Sequence, residues 1–101
     1  MNIIGQDKNT DQEAFYASLK EKLEQTHDFP EDYLYKFIVT NDQSKVTDIY
    51  RVFDSVKFTM TSRDSKNGKY TALSINAFVL DAEQVIKIYK EVGLIKGVIM
   101  L

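Results

Sequence analysis

One histidine, no cysteine and a scatter of carboxylates are what this chain offers for chemistry. His27 stands beside Asp28-Phe29-Pro30, a stretch that must end a helix. A histidine there is most simply a partner for the negative end of the helix dipole. Catalytic histidine needs a nucleophile or a second acid within hydrogen-bond reach, and no spacing in the chain supplies one. Glu31 and Asp32 are adjacent, and Asp81 and Glu83 nearly so. At a strand start and a helix start, such acids act as caps and solvated charges. A metal would need ligands converging from several elements. No catalytic residue, cofactor site or metal ligand is therefore assigned, and the chain is not expected to be an enzyme.

Two loops carry groups that could hold a small anion. Arg63, Lys66 and Lys69 flank a tight turn in which Ser65 and Gly68 shape the backbone and Tyr70 follows. A turn that presents backbone N–H groups beside cations can take a phosphate. The plain reading is a solvated turn whose lysines blunt a strand end, and neither phosphate-loop pattern, GxxxxGK[ST] nor GxGxxG, occurs. The second loop, Thr40-Asn41-Asp42-Gln43-Ser44, opens a helix, and Asn41, Asp42 and Ser44 suit either an N-cap or a bound carboxylate.

The elements that position these loops are legible from periodicity. Val56, Phe58 and Met60 alternate with Lys57, Thr59 and Thr61. After the turn at Ser65–Gly68, Leu73, Ile75, Ala77 and Val79 alternate with Ala72, Ser74, Asn76 and Phe78. Period two, with β-branched and aromatic side chains, predicts a long hairpin over residues 56–80. Tyr33 to Thr40 predicts a strand with Tyr35, Phe37 and Val39 inward. Val46, Ile49, Tyr50 and Phe53 fall at helical spacing, as do Ala82, Val85, Ile86 and Tyr89, the latter capped by Asp81 with Gln84 three residues on. Gly93 is placed to take a left-handed C-cap, and Ile95 to Leu101 predicts a last strand. The order βαββαβ gives an α+β ferredoxin-like sandwich with an antiparallel sheet ordered 4-1-3-2. An accessory helix over residues 11–26, introduced by the capping pattern Thr10–Glu13 after a frayed start at residues 1–9, precedes this domain of residues 31–101. Its stripe of Phe15, Leu19 and Leu23 is narrow, which predicts packing on a surface rather than entry into a core.

The helices cover one face of such a sheet. The other is predicted to show Leu34, Lys36, Ile38, Lys57, Thr59, Thr61, Arg63, Tyr70, Ala72, Ser74, Asn76, Phe78, Lys96, Val98 and Met100. A mixed apolar and basic face of this kind calls for a covering partner. Two coverings compete: the acidic N-terminal helix lying across it, or a second copy of the chain.

Composition narrows the class of partner. The chain has 101 residues, enough for one core, and a formal net charge of −2, against a dedicated nucleic-acid binder. Residues 1–32 hold eight acids and three bases, while residues 33–101 hold seven acids and ten bases. The absence of cysteine fits a reducing cytosol. The N-terminal MNIIGQDKN has no signal-peptide pattern, and no apolar run approaches the ~20 residues of a membrane span.

Phe29 to Val39 (FPEDYLYKFIV), Ser62 to Ile75 (SRDSKNGKYTALSI) and Asp81 to Leu101 together resemble the YbeD-like family of small bacterial proteins. The hallmark is an S-x-x-G-x-Y hairpin, here Ser65, Gly68 and Tyr70. The resemblance implies a ferredoxin-like fold similar to the ACT regulatory domains, with no established activity, and does not extend to the N-terminal helix. The expectation is a non-enzymatic, cytoplasmic regulatory or protein-interaction module, with a homodimer as one form of it. The alternative is an amino-acid or anion sensor at residues 40–44 or the hairpin tip, although ACT loops that bind amino acids carry a glycine that this loop lacks. RNA binding is disfavoured: Tyr70 and Phe78, the aromatics of the open face on the central strand, lie roughly 27 Å apart at 3.4 Å per residue, too far to stack adjacent bases.

Overall fold

The structure is a computed structural model and describes residues 8–101. Its elements are α1 (Lys8–Thr26), β1 (Glu31–Thr40), α2 (Gln43–Val52), β2 (Phe58–Asp64), β3 (Tyr70–Val79), α3 (Ala82–Val92) and β4 (Ile99–Met100). The four strands form one antiparallel sheet in the order β2-β3-β1-β4, the ferredoxin-like arrangement expected. Residues 1–7 of the stretch expected to fray lie outside the described residues.

Side-chain parity fixes the two faces. Tyr35, Phe37 and Val39 of β1 and Leu73, Ile75, Ala77 and Val79 of β3 are buried in one core with Ile49 and Phe53 of the α2 end and Val85, Ile88 and Val92 of α3. Phe58 and Met60 of the edge strand β2 pack on the same core, half-buried. Tyr50, predicted on the buried stripe of α2, is instead largely exposed, with its ring edge-on to Phe58 at a centroid distance of 4.9 Å. The register is continuous from Glu31↔Val79 to Thr40↔Tyr70, so β1 and β3 share their full length at the centre of the sheet.

The helix starts follow their caps. Asp42 accepts from the Ser44 N–H at 2.9 Å and opens α2. Asp81 accepts from the Gln84 N–H at 2.8 Å, and the Gln84 side chain accepts from the Leu80 N–H at 2.7 Å, a reciprocal capping arrangement.

Three expectations need correction. The N-terminal helix does not lie across the open sheet face. It packs beside α3 in the helical layer, where Lys20 pairs with Glu83 at 3.0 Å and the Lys90 ammonium sits 4.9 Å from the Tyr16 ring centroid. Leu23 is only 5% exposed and belongs to the core cluster, with Leu19 and Tyr16 half-buried against it, so the stripe enters the core at its Leu23 end while Phe15 stays exposed. The contacts that hold it there are specific: Tyr16 and Leu19 meet Ile86 and Tyr89 of α3, Lys20 pairs with Glu83, and Lys90 lies over the Tyr16 ring. This helix also begins at Lys8, which puts Thr10 inside it rather than before it.

The second correction concerns the C-terminus. β4 spans only Ile99–Met100 rather than residues 95–101, and its register pairs Ile38 with Ile99 and Phe37 with Met100. Ile99 therefore shares the open face with Ile38, and Met100 shares the helical side with Phe37, one residue out of step with the parity expected for Lys96, Val98 and Met100. The third correction explains the slip. Gly93 keeps a right-handed φ of −62°, its N–H still bonded to the Tyr89 carbonyl, and further turns follow through Leu94 and Ile95. The left-handed residue is Gly97, at φ +82°. The chain uses residues 93–98 to turn, so pairing with β1 begins only at Ile99.

Candidate interaction surface

The hairpin tip is built by its own polar groups. Ser65 Oγ accepts from the Tyr70 N–H at 3.1 Å and donates to Asn67 Oδ1 at 2.9 Å, which also accepts from the Lys69 N–H. The Gly68 N–H closes the turn on the Ser65 carbonyl at 2.9 Å, with Gly68 at φ +70°, a conformation that favours glycine. The S-x-x-G-x-Y pattern thus has a local physical cause: serine ties the turn, glycine allows it, and tyrosine starts β3.

The structure brings the two candidate loops together. Asn41 donates from its side chain to the Gly68 carbonyl at 2.9 Å, and its backbone N–H bonds the Lys69 carbonyl at 3.0 Å. Asn41 therefore clamps the tip rather than capping α2. Asp42 accepts from both the Ser44 hydroxyl, at 2.8 Å, and the Ser44 N–H. These two bonds, the hydroxyl first, hold the Asp42 carboxyl below the usual carboxylate range. Asn41, Asp42, Ser44 and Ser65 are thus engaged internally. Arg63, Lys66 and Lys69 form no ion pair among the described residues, and the Lys69 ammonium lies 6.0 Å from the Tyr70 ring centroid.

The open face reads as cross-strand rows. Thr59, Asn76 and Leu34 form one; Thr61, Ser74 and Lys36 the next; Arg63, Ala72, Ile38 and Ile99 the one after. Phe78 stands opposite Asp32, and Tyr70 opposite Thr40. Leu34 and Ile99 are 52% and 54% exposed, and Phe78 and Tyr70 are also exposed. The face is thus a flat hydroxyl-rich field with apolar corners, and Lys36, Lys57 and Arg63 outnumber Asp32 on it. Its grooves are open and shallow.

A cluster that the sequence did not reveal lies on the opposite side. His27 pairs through Nδ1 with Glu31 and packs between Phe29 and Tyr33. The Tyr33 and Tyr89 hydroxyls bond each other at 3.0 Å, and the Tyr35 hydroxyl donates to the Val85 carbonyl at 3.1 Å. Burial pushes both Tyr35 and Tyr89 above the ordinary phenol range, so these groups remain neutral hydrogen-bonding partners at physiological pH. The only early signal was the i, i+4 spacing of His27 and Glu31. Among the described residues no three histidine, aspartate or glutamate side chains converge as metal ligands, and no helix is long and apolar enough to cross a membrane.

The comparisons with known proteins come to rest on the same fold. The solution structure of the H. pylori protein HP0495 is similar, with a TM-score of 0.62 over 75% of this chain and 86% of that one, at 20% sequence identity. No curated protein matches the sequence. Residues 24–101, which include the hairpin motif, the sheet and both helices over it, match the family described as "Protein of unknown function (DUF493)". The chain belongs to DUF493, the YbeD-like family whose motifs its hairpin and C-terminal half carry.

Proposed function

We propose that this protein is a non-enzymatic regulatory module that binds another protein through its open sheet face, in the cytoplasm. One observation carries the reading: with α1 packed in the helical layer, Leu34, Ile99 and Phe78 stay exposed beside Lys36 and Arg63. Apolar groups rimmed by cations that form no ion pair among the described residues fit a partner surface that carries apolar side chains and carboxylates. A second copy of the chain is the first partner to examine. Light scattering over a concentration series should show a dimer that Phe78→Ser with Arg63→Glu returns to monomer. If wild type stays monomeric, immobilised wild type should retain a cellular protein that this double variant loses and Lys87→Glu, on the helical side, keeps. Equal retention by all three sinks the reading.

A second reading is small-anion sensing where the hairpin tip meets residues 40–44. It is favoured by the junction through Asn41, which ties the Gly68–Lys69 backbone of the tip to the residue before the α2 cap. Thermal-shift measurement against amino acids and phosphorylated metabolites tests it, and no stabilisation by any of them removes it.

A further inference from the structure

The register leaves a notch at one edge of the central sheet. In β1 the odd residues bond β3, because the Asn41 N–H meets the Lys69 carbonyl in the same register that pairs Val39 with Thr71. The even residues therefore turn their N–H and C=O groups to the other side. There Ile38 faces Ile99, and the Lys36 carbonyl accepts from the Leu101 N–H at 3.0 Å. Past that bond, the N–H and C=O of Leu34 and Asp32 point into space beside which, among the described residues, no strand lies. Among the described residues, half of this central strand thus has no strand beside it, in line with β4.

The surroundings of the notch are apolar on both faces. The Leu34 side chain stands exposed on the open face next to it. On the helical side a hollow lies between α1 and the end of β4, walled by Phe15, Leu19, Tyr89, Met100 and Leu101. The far end is acidic, with exposed Asp32 and with Glu31 already engaged by His27. The other sheet edge differs. β2 also turns its even residues outward, but Lys57, Arg63 and Asp64 flank it, the usual guard of a strand edge.

We propose that the notch is a strand-addition site for an extended segment of a partner protein, laid antiparallel to β1 and head-to-tail with β4. Only an extended backbone offers a donor and an acceptor to both Leu34 and Asp32, about 7 Å apart at 3.4 Å per residue. The bound segment places apolar side chains opposite Tyr35, Leu34 and Tyr33 and a basic one opposite Asp32, with those opposite the tyrosines turned toward the α1 hollow. A second copy of this chain fits poorly. Pairing the same stretch around a two-fold centred on Tyr33 sets the charged Asp32 opposite the apolar Leu34, and centring it on Leu34 brings Asp32 of the second copy to Lys36, where Leu101 is already bonded. The proposal concerns the edge of β1 and stands whether or not the open face binds a partner.

The test uses the full chain and the peptide acetyl-Leu-Val-Leu-Lys-Thr-amide. Titration followed by nuclear magnetic resonance should give saturable shifts at Asp32, Tyr33 and Leu34, and amide exchange at Leu34 should slow about tenfold when free peptide reaches ten times its Kd. Replacing the peptide lysine by glutamate should weaken binding several-fold. Leu34→Pro should abolish it while keeping the sheet, since that N–H bonds no neighbour in the ladder. Should this variant fail to fold, Asp32→Lys serves instead and should reverse the preference between the two peptides. Shifts centred on β2, or none at millimolar peptide, overturn the proposal. So does self-association without peptide that slows amide exchange at Asp32 and Leu34 and survives the open-face double change Phe78→Ser with Arg63→Glu, which assigns the notch to a second copy.

Discussion

Leu23→Ala tests where the N-terminal helix docks. Leu23 is 5% exposed and packed in the main core, so truncation removes the transfer free energy of its buried methyls and leaves a cavity. Leucine-to-alanine changes in cores cost about 2 to 5 kcal/mol. Leu23 sits at the rim of the core on a helix held by one neighbour, which can settle inward, so the lower part of that range, about 2 to 3 kcal/mol, is expected. For a domain of this size that lowers Tm by roughly 10 to 20 °C. Phe15, on the same stripe but 62% exposed, is the internal control, and Phe15→Ala should change stability by about 0.5 kcal/mol or less. Urea unfolding followed by far-ultraviolet circular dichroism gives both values. Equal costs at the two positions, or a cost below about 1 kcal/mol at Leu23, would refute the docking of α1 described here.

Three further perturbations follow from named contacts. Tyr33→Phe and Tyr89→Phe each remove one end of a half-buried hydroxyl pair, and a double-mutant cycle in urea should return a coupling of about 0.5 to 1.5 kcal/mol; a coupling of zero means the hydroxyls do not bond. The Asp42 carboxyl should titrate below a free aspartate, and Ser44→Ala, which removes the larger cause, should move it back up. Because the folded value is depressed, the stabilisation is present above the ordinary value of ~3.9 and is lost as pH falls through the folded one, which carboxyl-detected titration can follow. Gly68 and Gly97 both hold positive φ, so each change to alanine should cost about 1 to 2 kcal/mol, whereas Gly68→Asn should cost less than Gly68→Ala, since asparagine tolerates the left-handed region and nothing within 4 Å of an added Cβ obstructs it.

Most of the fold was legible because parity and helical spacing are strong signals where burial is complete. Tyr35, Phe37, Leu73 and Ile75 point inward as the alternation requires, and Val85 and Ile86 define the buried side of α3. Legibility failed where tertiary complementarity or backbone turns decide. Nothing local tells Leu23 that α3, rather than the sheet face, will meet it. Gly93 sits at the expected helix end, yet the chain goes on turning until Gly97, and that delay inverts the parity of the last strand. At the loops, the sequence offered Asn41 and Asp42 as equivalent caps. Only the β1–β3 register, which brings Gly68 alongside, separates the clamp from the cap. The pairing of His27 with Glu31 likewise depends on how the chain turns at Phe29 and Pro30.

The clamp has a practical consequence for anyone wishing to splice a tag or reporter into this chain. Hairpin tips are ordinarily the tolerant spots for such insertions. Here the tip is fastened through Asn41 to the junction of β1 and α2, with bonds to both Gly68 and Lys69. A graft between Asn67 and Gly68 would therefore loosen two elements far apart in the chain at once.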